Sequence, residues 1–355
     1  MNAIEEIRDF AHAGIREQLE TLCAIPMVTG FERTHADAVR TLFAPLCDEI
    51  ETDAFGNVIG LRRCGKPGAK TVLLDAHLDQ IGFVVTQVLE GGFLRFAPVG
   101  GVDPRMLLGA EVEIGFERRY GIISCTPPHL MQAGEEDKAA PIHEMLIDTG
   151  LQDAQAVIAV GTPIWFPAQA EQMRGLARDA ITGPSLDDRA GAVAIARALA
   201  QLQKEDLEVD VAILLSVQEE VTALGATIGT FRVRPDYAIA IDVSHAKTPD
   251  APGEFEFGGG VMIGMGPNMN RPLSQALIRT AKAEGMDYQI EIMEGNTGTN
   301  AWEMQIVAGG TATAILSIPL RYMHTPIETI QLSDVQSVAD LIYHFLRSFD
   351  GEVRL

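Results

Sequence analysis

Along most of the chain the apolar positions fall into short blocks, and their spacing predicts which blocks are helices and which are strands. Ile4, Ile7, Phe10, Ile15, Leu19 and Leu22 recur near helical spacing with charges between them, predicting an amphipathic helix ended by Pro26. A second helix is expected after "GFERT", with Val39, Leu42, Phe43 and Leu46 on one face. "DAFGNVIG" reads as a turn entering a strand, because Gly56 and Asn57 tolerate positive φ ahead of Val58 and Ile59. Thr71 to Leu74 reads as a buried strand. From about Gly82 to Pro167 short apolar runs alternate with Gly and Pro ("GGFLRFAPVGG", "EVEIGFERRYGIIS", "VGTPIWFP"), the pattern of a small β-rich domain. Beyond Asp187 helix and strand alternate again. A helix through "DDRAGAVAIARALAQLQ" precedes strand "VAILLSV", a helix, strand "YAIAIDV", a helix after Pro272, strands "YQIEIM" and "TATAILSIPL", and a last helix from Ser333. Uninterrupted apolar strands between amphipathic helices require cover on both faces. The expected fold class is therefore α/β: a mostly parallel sheet with helices on both faces and an inserted small β-barrel. The expected domains are 1–81 with 168–355, interrupted by 82–167.

Composition narrows the class without naming a function. The 355 residues are 47% hydrophobic and 21% charged, the balance of a globular chain. No apolar run approaches the roughly 18 residues of a membrane span, and the acidic start "MNAIEEIRDF" is unlike a secretory signal. Cys23, Cys47, Cys64 and Cys125 are scattered without a CxxC pair, so reduced thiols and a cytoplasmic location are expected. Lys and Arg total 27 against 49 Asp and Glu, a formal charge of −22, which disfavours nucleic acid and anionic membrane as partners.

The candidate chemistry sits at strand ends, where open α/β sheets bind ligands. "TVLLDAHLDQIG" carries His77 and Asp79, and "GPSLDDRAG" carries Asp187 and Asp188 ahead of a helix. "VAILLSVQEE" carries Glu219 and Glu220, "YAIAIDVSHA" carries Asp242, and "LSIPLRYMHTP" carries His324. Each has a plain structural reading: Asp187 or Asp188 as a helix N-cap, either His as a hydrogen-bonded core residue, Asp242 as a turn acceptor. Together they place imidazole and carboxylate from five segments at one sheet edge. That set exceeds an ordinary structural zinc site. It suits two divalent ions roughly 3.5–4 Å apart sharing one carboxylate, as in metal-assisted hydrolysis. On an extended chain Asp79 faces the same side as His77 and can accept from the ring nitrogen not bound to metal. Glu219 and Glu220, read as an extended strand end, point in different directions and can do separate work. His129 and His143 read as surface or packing residues, and Met262, Met265 and Met269 as gap-fillers.

Taken in order, "AHLDQIGF", "GPSLDDRAG", "VQEEVTALGA", "AIDVSHA", "GTNAW" and "RYMHTPIE" resemble the dinuclear-metal aminopeptidases that include glutamyl aminopeptidases, deblocking aminopeptidases and the TET peptidases. Some similar proteins are named endoglucanases. The resemblance implies a zinc-peptidase-like domain with a PDZ-like β insertion used in subunit contacts. It implies His77, Asp187, Glu220, Asp242 and His324 as ligands of two divalent ions (zinc, cobalt or manganese), with Asp187 bridging. It also implies Glu219 as general base, Asp79 as the residue orienting His77, peptides as substrates, and a homo-oligomer, often a tetrahedral dodecamer. Two positions depart from the family pattern: Gln80 stands where Glu is usual, and Asn300 where "GTDA" has Asp. Each removes a negative charge of use in holding a substrate's terminal ammonium, and Asn300 reads equally as a structural amide. Two other readings remain at this level, a glycoside hydrolase, which needs no metal pair, and an inactive metal-bound assembly protein. Chelation and metal rescue separate the first, and an aminoacyl-amide panel the second.

Overall fold

The computed structural model describes residues 10–130, 139–168, 171–172, 179–251 and 255–354. Ile4 and Ile7 of the expected first helix lie outside the described residues. The rest of that stretch is divided: a 3-10 turn, Phe10–His12, is separated from helix α1 (Ile15–Cys23) by extended Gly14 (φ −67°, ψ 154°). Helix α2 (Ala36–Phe43) buries Val39, Leu42 and Phe43, as their spacing predicts, and Leu46 follows in a 3-10 turn containing Pro45.

Strands β1 (Glu49–Thr52) and β2 (Val58–Arg62) form a hairpin, and β3 (Thr71–His77) follows. The chain then builds a closed antiparallel barrel from β4 (Gly82–Val88), β5 (Phe93–Val99), β6 (Glu111–Ile114), β7 (Arg119–Ser124), β8 (Leu146–Asp148) and β9 (Pro163–Trp165). They close in the order β4-β5-β8-β7-β6-β9. Phe83 and Val85, Leu94 and Phe96, Val112 and Ile114 alternate inward to fill a core of the barrel's own. Closure leaves no unpaired edge to manage.

The remaining elements are β10 (Glu171–Gln172), β11 (Ala180–Thr182), α3 (Leu186–Leu202), β12 (Asp210–Ser216), α4 (Glu219–Thr222), α5 (Leu224–Val233), β13 (Tyr237–His245), β14 (Val261–Met265), α6 (Arg271–Ala283), β15 (Tyr288–Ile292), α7 (Ala301–Met304), β16 (Ala312–Arg321), β17 (Thr329–Gln331) and α8 (Leu332–Ser348). The strands outside the barrel form one sheet of 11 strands, in the order β1-β2-β12-β3-β13-β16-β17-β11-β10, with β14 against β16 and β15 on β14. At its centre β12, β3, β13 and β16 are mutually parallel. Antiparallel strands flank them on both sides, so the whole sheet is mixed.

The parallel centre is apolar on both faces because helices cover both. Val211, Ile213 and Leu215 join the core beneath α3 and α8, while Ala212 and Leu214 face the smaller core beneath α5 and α7. Alanines line much of α3, letting it lie close to the sheet. Strand β12 flanks β3 on one side and β13 flanks it on the other, so the chain reverses direction across the sheet there. Such a reversal opens a crevice at the carboxyl ends of the strands. Among the described residues no helix is long and apolar enough to cross a membrane.

Candidate metal centre

The crevice gathers the strand-end residues. His77 closes β3 opposite Ser216 of β12, and Asp242 stands on β13 opposite Ser317 of β16. Asp187 opens α3, and His324 follows β16. His77 Nε2 lies 3.0 Å from Asp187 Oδ1, and His324 Nε2 lies 3.3 Å from Asp187 Oδ2. The same His324 nitrogen is 3.3 Å from Glu220 Oε2, and His77 Nε2 is 3.9 Å from Asp242 Oδ1. Two triads result, His77–Asp187–Asp242 and Asp187–Glu220–His324, each with donor atoms within 4.8 Å of one another. Asp187 belongs to both, and turns one oxygen to each imidazole. Of the two residues that could cap α3, Asp188 takes the capping part, accepting from Gly191 N at 2.9 Å, which leaves Asp187 free for the crevice. A Cβ on Gly191 would lie 2.5 Å from the Asp188 carboxylate, so the helix needs glycine there.

Glu219 and Glu220 do not continue an extended strand. Gln218 is left-handed (φ 59°, ψ 32°) and the two glutamates begin α4, a single helical turn closed by left-handed Ala223. They still diverge, because successive helical residues are roughly 100° apart. Other segments hold this turn through its backbone. Asn57 Oδ1 accepts from Val217 N (3.0 Å), Glu32 Oε1 from Gln218 N (3.0 Å), and Asp79 from both Glu219 N (3.0 Å) and Glu220 N (3.2 Å). Asp79 also accepts from Thr29 Oγ1 at 2.8 Å. His77 Nδ1 is nearer the Asp79 carbonyl (3.1 Å) than its carboxylate (3.6 Å). Asp79 thus fixes the ring mainly through its backbone and fixes the glutamate turn with its side chain. Gly225 meets Val217 so closely that any Cβ would strike the Val217 carbonyl.

The carboxylates in this crevice outnumber the imidazoles that could balance them. Burial, reinforced by Asp187, pushes Glu220 well above the carboxylate range, and burial with Asp188 does the same to Asp242. Burial raises Glu219 to about 7. Burial also disfavours a charged Asp187, but hydrogen bonds from His324 and His77 outweigh it and hold that carboxyl below its ordinary value. His77 shows the complementary balance: burial lowers it, yet Asp187 and Asp79 carry it well above the imidazole range. Among the described residues, neither Lys nor Arg lines the cavity of about 420 Å³ that opens on Asp187, Glu219, Glu220, Asp242 and His324. Two imidazoles and several buried carboxylates in this geometry fit a divalent metal better than any internal pairing.

The sequence profile of the M42 glutamyl aminopeptidases matches residues 56–341. The chain belongs to the M42 family. It is 34% identical over 332 residues to a lysyl aminopeptidase of Pyrococcus furiosus, covering 92% of this chain and 94% of that one. The solved structure of an aminopeptidase from Desulfurococcus kamchatkensis matches it with TM-score 0.86 and 30% identity, over 94% of this chain and 95% of that one. A TET1 peptidase of Pyrococcus horikoshii, described as assembling into a tetrahedron or a large octahedral shell, matches with TM-score 0.80 and 28% identity, over 95% of this chain and 100% of that one. The expected aminopeptidase family and its fold are borne out.

The two departures from the M42 pattern do not face the cavity. Gln80 is 3% exposed, and its Oε1 accepts from Met27 N and Arg189 Nη2, both at 3.4 Å. Asn300, 2% exposed, donates to Asp75 Oδ2 (2.8 Å) and Ser216 Oγ (2.9 Å) beneath α7. Both side chains are held in the interior, which for Asn300 accords with the structural-amide reading. Arg189 is fully buried and also donates to Leu22 O (2.7 Å) and Ile25 O (3.3 Å). His143 is exposed, and His245 stands outside both triads. Arg321 and Tyr322, just ahead of His324, lie respectively over the Phe257 ring and exposed to solvent.

Sequence reasoning missed Glu328, which accepts from His324 N (3.0 Å) and Asp187 N (3.2 Å) and so joins the triads through their backbones. Its signal is its place four residues after His324. Glu32 and Asn57 were also missed, and Glu32 carries no local signal. The barrel reaches the centre as well: a Cβ on Gly101 would lie 3.0 Å from His324 Nδ1, and one on Gly100 3.4 Å from Glu220.

Proposed function

We propose that this M42 aminopeptidase removes single N-terminal residues from peptides, using two divalent ions held by His77, Asp187, Glu220, Asp242 and His324. The observation that carries this reading is the sharing of Asp187 between two triads, with Glu219 on the same cavity wall but in neither triad. Bound there, the ions would supply Lewis acidity toward the scissile carbonyl and a water of lowered pKa. The side chains do the rest. Asp187 would be shared between the two ions, with His77 and Asp242 holding one and Glu220 and His324 the other. Glu219 takes the proton of the attacking water and passes it to the leaving amine, a role that suits a carboxylate on the cavity wall outside both triads. Asp79 holds Glu219 in place through the amide of that residue.

Paired variants test the assignment. Glu219→Gln should retain both ions by elemental analysis and lose kcat by about 10²–10⁴-fold. Glu220→Ala should lose one ion. Near wild-type hydrolysis of peptide amides by Glu219→Gln would remove it as the base. Chelation should abolish turnover, and zinc, cobalt or manganese should restore it, whereas a glycosidase acting through two carboxyls would be indifferent.

On the same reading, 1–81 and 168–355 form the catalytic unit and 82–167 contributes subunit contacts in a homo-oligomer, which the assembly of the TET1 relative supports. A tetrahedral dodecamer is the arrangement we favour, measurable by light scattering. The four cysteines are free thiols, which supports a cytoplasmic setting.

A further inference from the structure

The cavity has one carboxylate that the proposed chemistry leaves unused. Two divalent ions would balance Asp187, Glu219, Glu220 and Asp242, and the lining then retains the charge of Glu303. Glu303 is half-buried, and among the described residues its side chain makes no hydrogen bond or ion pair. It stands on α7, a turn fixed from below. Ala301 and Met304 are buried against the sheet, and Asn300, just ahead of them, is tied to Asp75 and Ser216. Trp302, the residue before it, also lines the cavity.

We infer that Glu303 is a specificity-determining residue that selects peptides whose first residue has a cationic side chain. This rests on the aminopeptidase reading, in which the peptide's amino end enters this cavity. The aliphatic stem of a lysine or arginine lies along Trp302, and its charged tip reaches Glu303. A carboxylate left facing a half-dry cavity favours a cation there and repels an acidic side chain. A basic first residue supplies the missing charge, and a glutamyl residue adds a second uncompensated one.

The test compares wild-type protein and Glu303→Gln, loaded with metal, on lysyl, norleucyl and glutamyl amides. Norleucine keeps the length of lysine without its charge. The wild type should favour the lysyl amide. The variant should lose roughly ten- to hundredfold in kcat/KM on that amide, chiefly through KM, and stay within about twofold on the norleucyl amide. Turnover of the glutamyl amide should rise. Calorimetric binding of the free products, lysine against norleucine, should show the same selective loss. An equal loss on lysyl and norleucyl amides would assign Glu303 to the terminal ammonium and overturn the proposal, as would no loss on either. If the wild type turns over none of these amides, the aminopeptidase reading fails instead, while the calorimetric comparison still decides whether Glu303 selects a cation.

Discussion

Stripping the metal should invert the usual pH dependence of a buried carboxylate cluster, and Glu219 gives the magnitude. Its ordinary value of 4.5 is raised by burial to about 7. A carboxyl with a folded pKa above its unfolded one binds its proton more tightly when folded. Its contribution is complete below about pH 4.5 and is lost as pH rises through about 7. At about 1.4 kcal/mol per pH unit, that interval corresponds to on the order of 3 kcal/mol. Glu220 and Asp242 are displaced the same way, chiefly by burial. His77, raised despite burial by its contacts with Asp187 and Asp79, has the same sign, since a raised histidine also loses its contribution as pH increases. The exposed carboxylates Asp37, Glu117 and Asp350 and the half-buried Asp103 are displaced downward by hydrogen bonds and act below the ordinary carboxylate range, outside this window.

Urea unfolding of chelator-treated protein from about pH 5 to about pH 8.5 should therefore show stability falling as pH rises. The sharper comparison is Glu219→Gln. Without metal the variant should be more stable than wild type by on the order of 3 kcal/mol at about pH 8.5, and nearly equal to it at about pH 5. With zinc at about a hundredfold over its dissociation constant the wild type should gain about 2.7 kcal/mol, and much of the pH dependence should vanish because the cations hold the carboxylates ionised. A difference between variant and wild type that stays constant across the range, or that grows toward low pH, would refute the account of Glu219 as a buried carboxyl short of a counter-charge.

Asp79→Ala should strand the amides of Glu219 and Glu220 and cost about 2 kcal/mol in urea unfolding, with kcat falling more than KM changes, since the glutamate turn loosens while the cavity walls stay. Gly101→Ala should weaken metal retention about tenfold in a chelator competition, because its Cβ would crowd His324 Nδ1. Asn300→Asp would set a second carboxyl within hydrogen-bond distance of Asp75, itself raised to about 6 by burial. It should cost about 3 kcal/mol at pH 8 and less at pH 5, and an unchanged unfolding curve would count against the packing role of Asn300.

What the sequence made legible was whatever an apolar strand cannot tolerate without a reason. A carboxylate or imidazole closing a buried run, as His77 closes β3, is costly unless something in the crevice repays it. Such residues from five segments gathered at one edge of the sheet therefore converge for a physical cause. The β-rich insertion was legible through its short apolar runs broken by Gly and Pro, and in the structure Phe83 with Val85 and Leu94 with Phe96 alternate into its core. The turn at Glu219 was not legible, because its shape is imposed from far away. Glu32 grips Gln218 across 186 residues and Asn57 grips Val217 across 160, and such bonds leave no local pattern. Gln80 was singled out from the family pattern, which carries no information on the direction of its side chain. One step along an extended chain reverses the side-chain direction, so a residue next to a crevice-facing Asp faces the core, where Gln80 meets Arg189. Glu303 escaped notice by the converse route. It follows the "GTNA" segment, in which Asn300 is the buried anchor while Glu303, further along α7, lines the cavity. A motif identifies the segment that builds a wall, and only the helical turn decides which of its residues lines it.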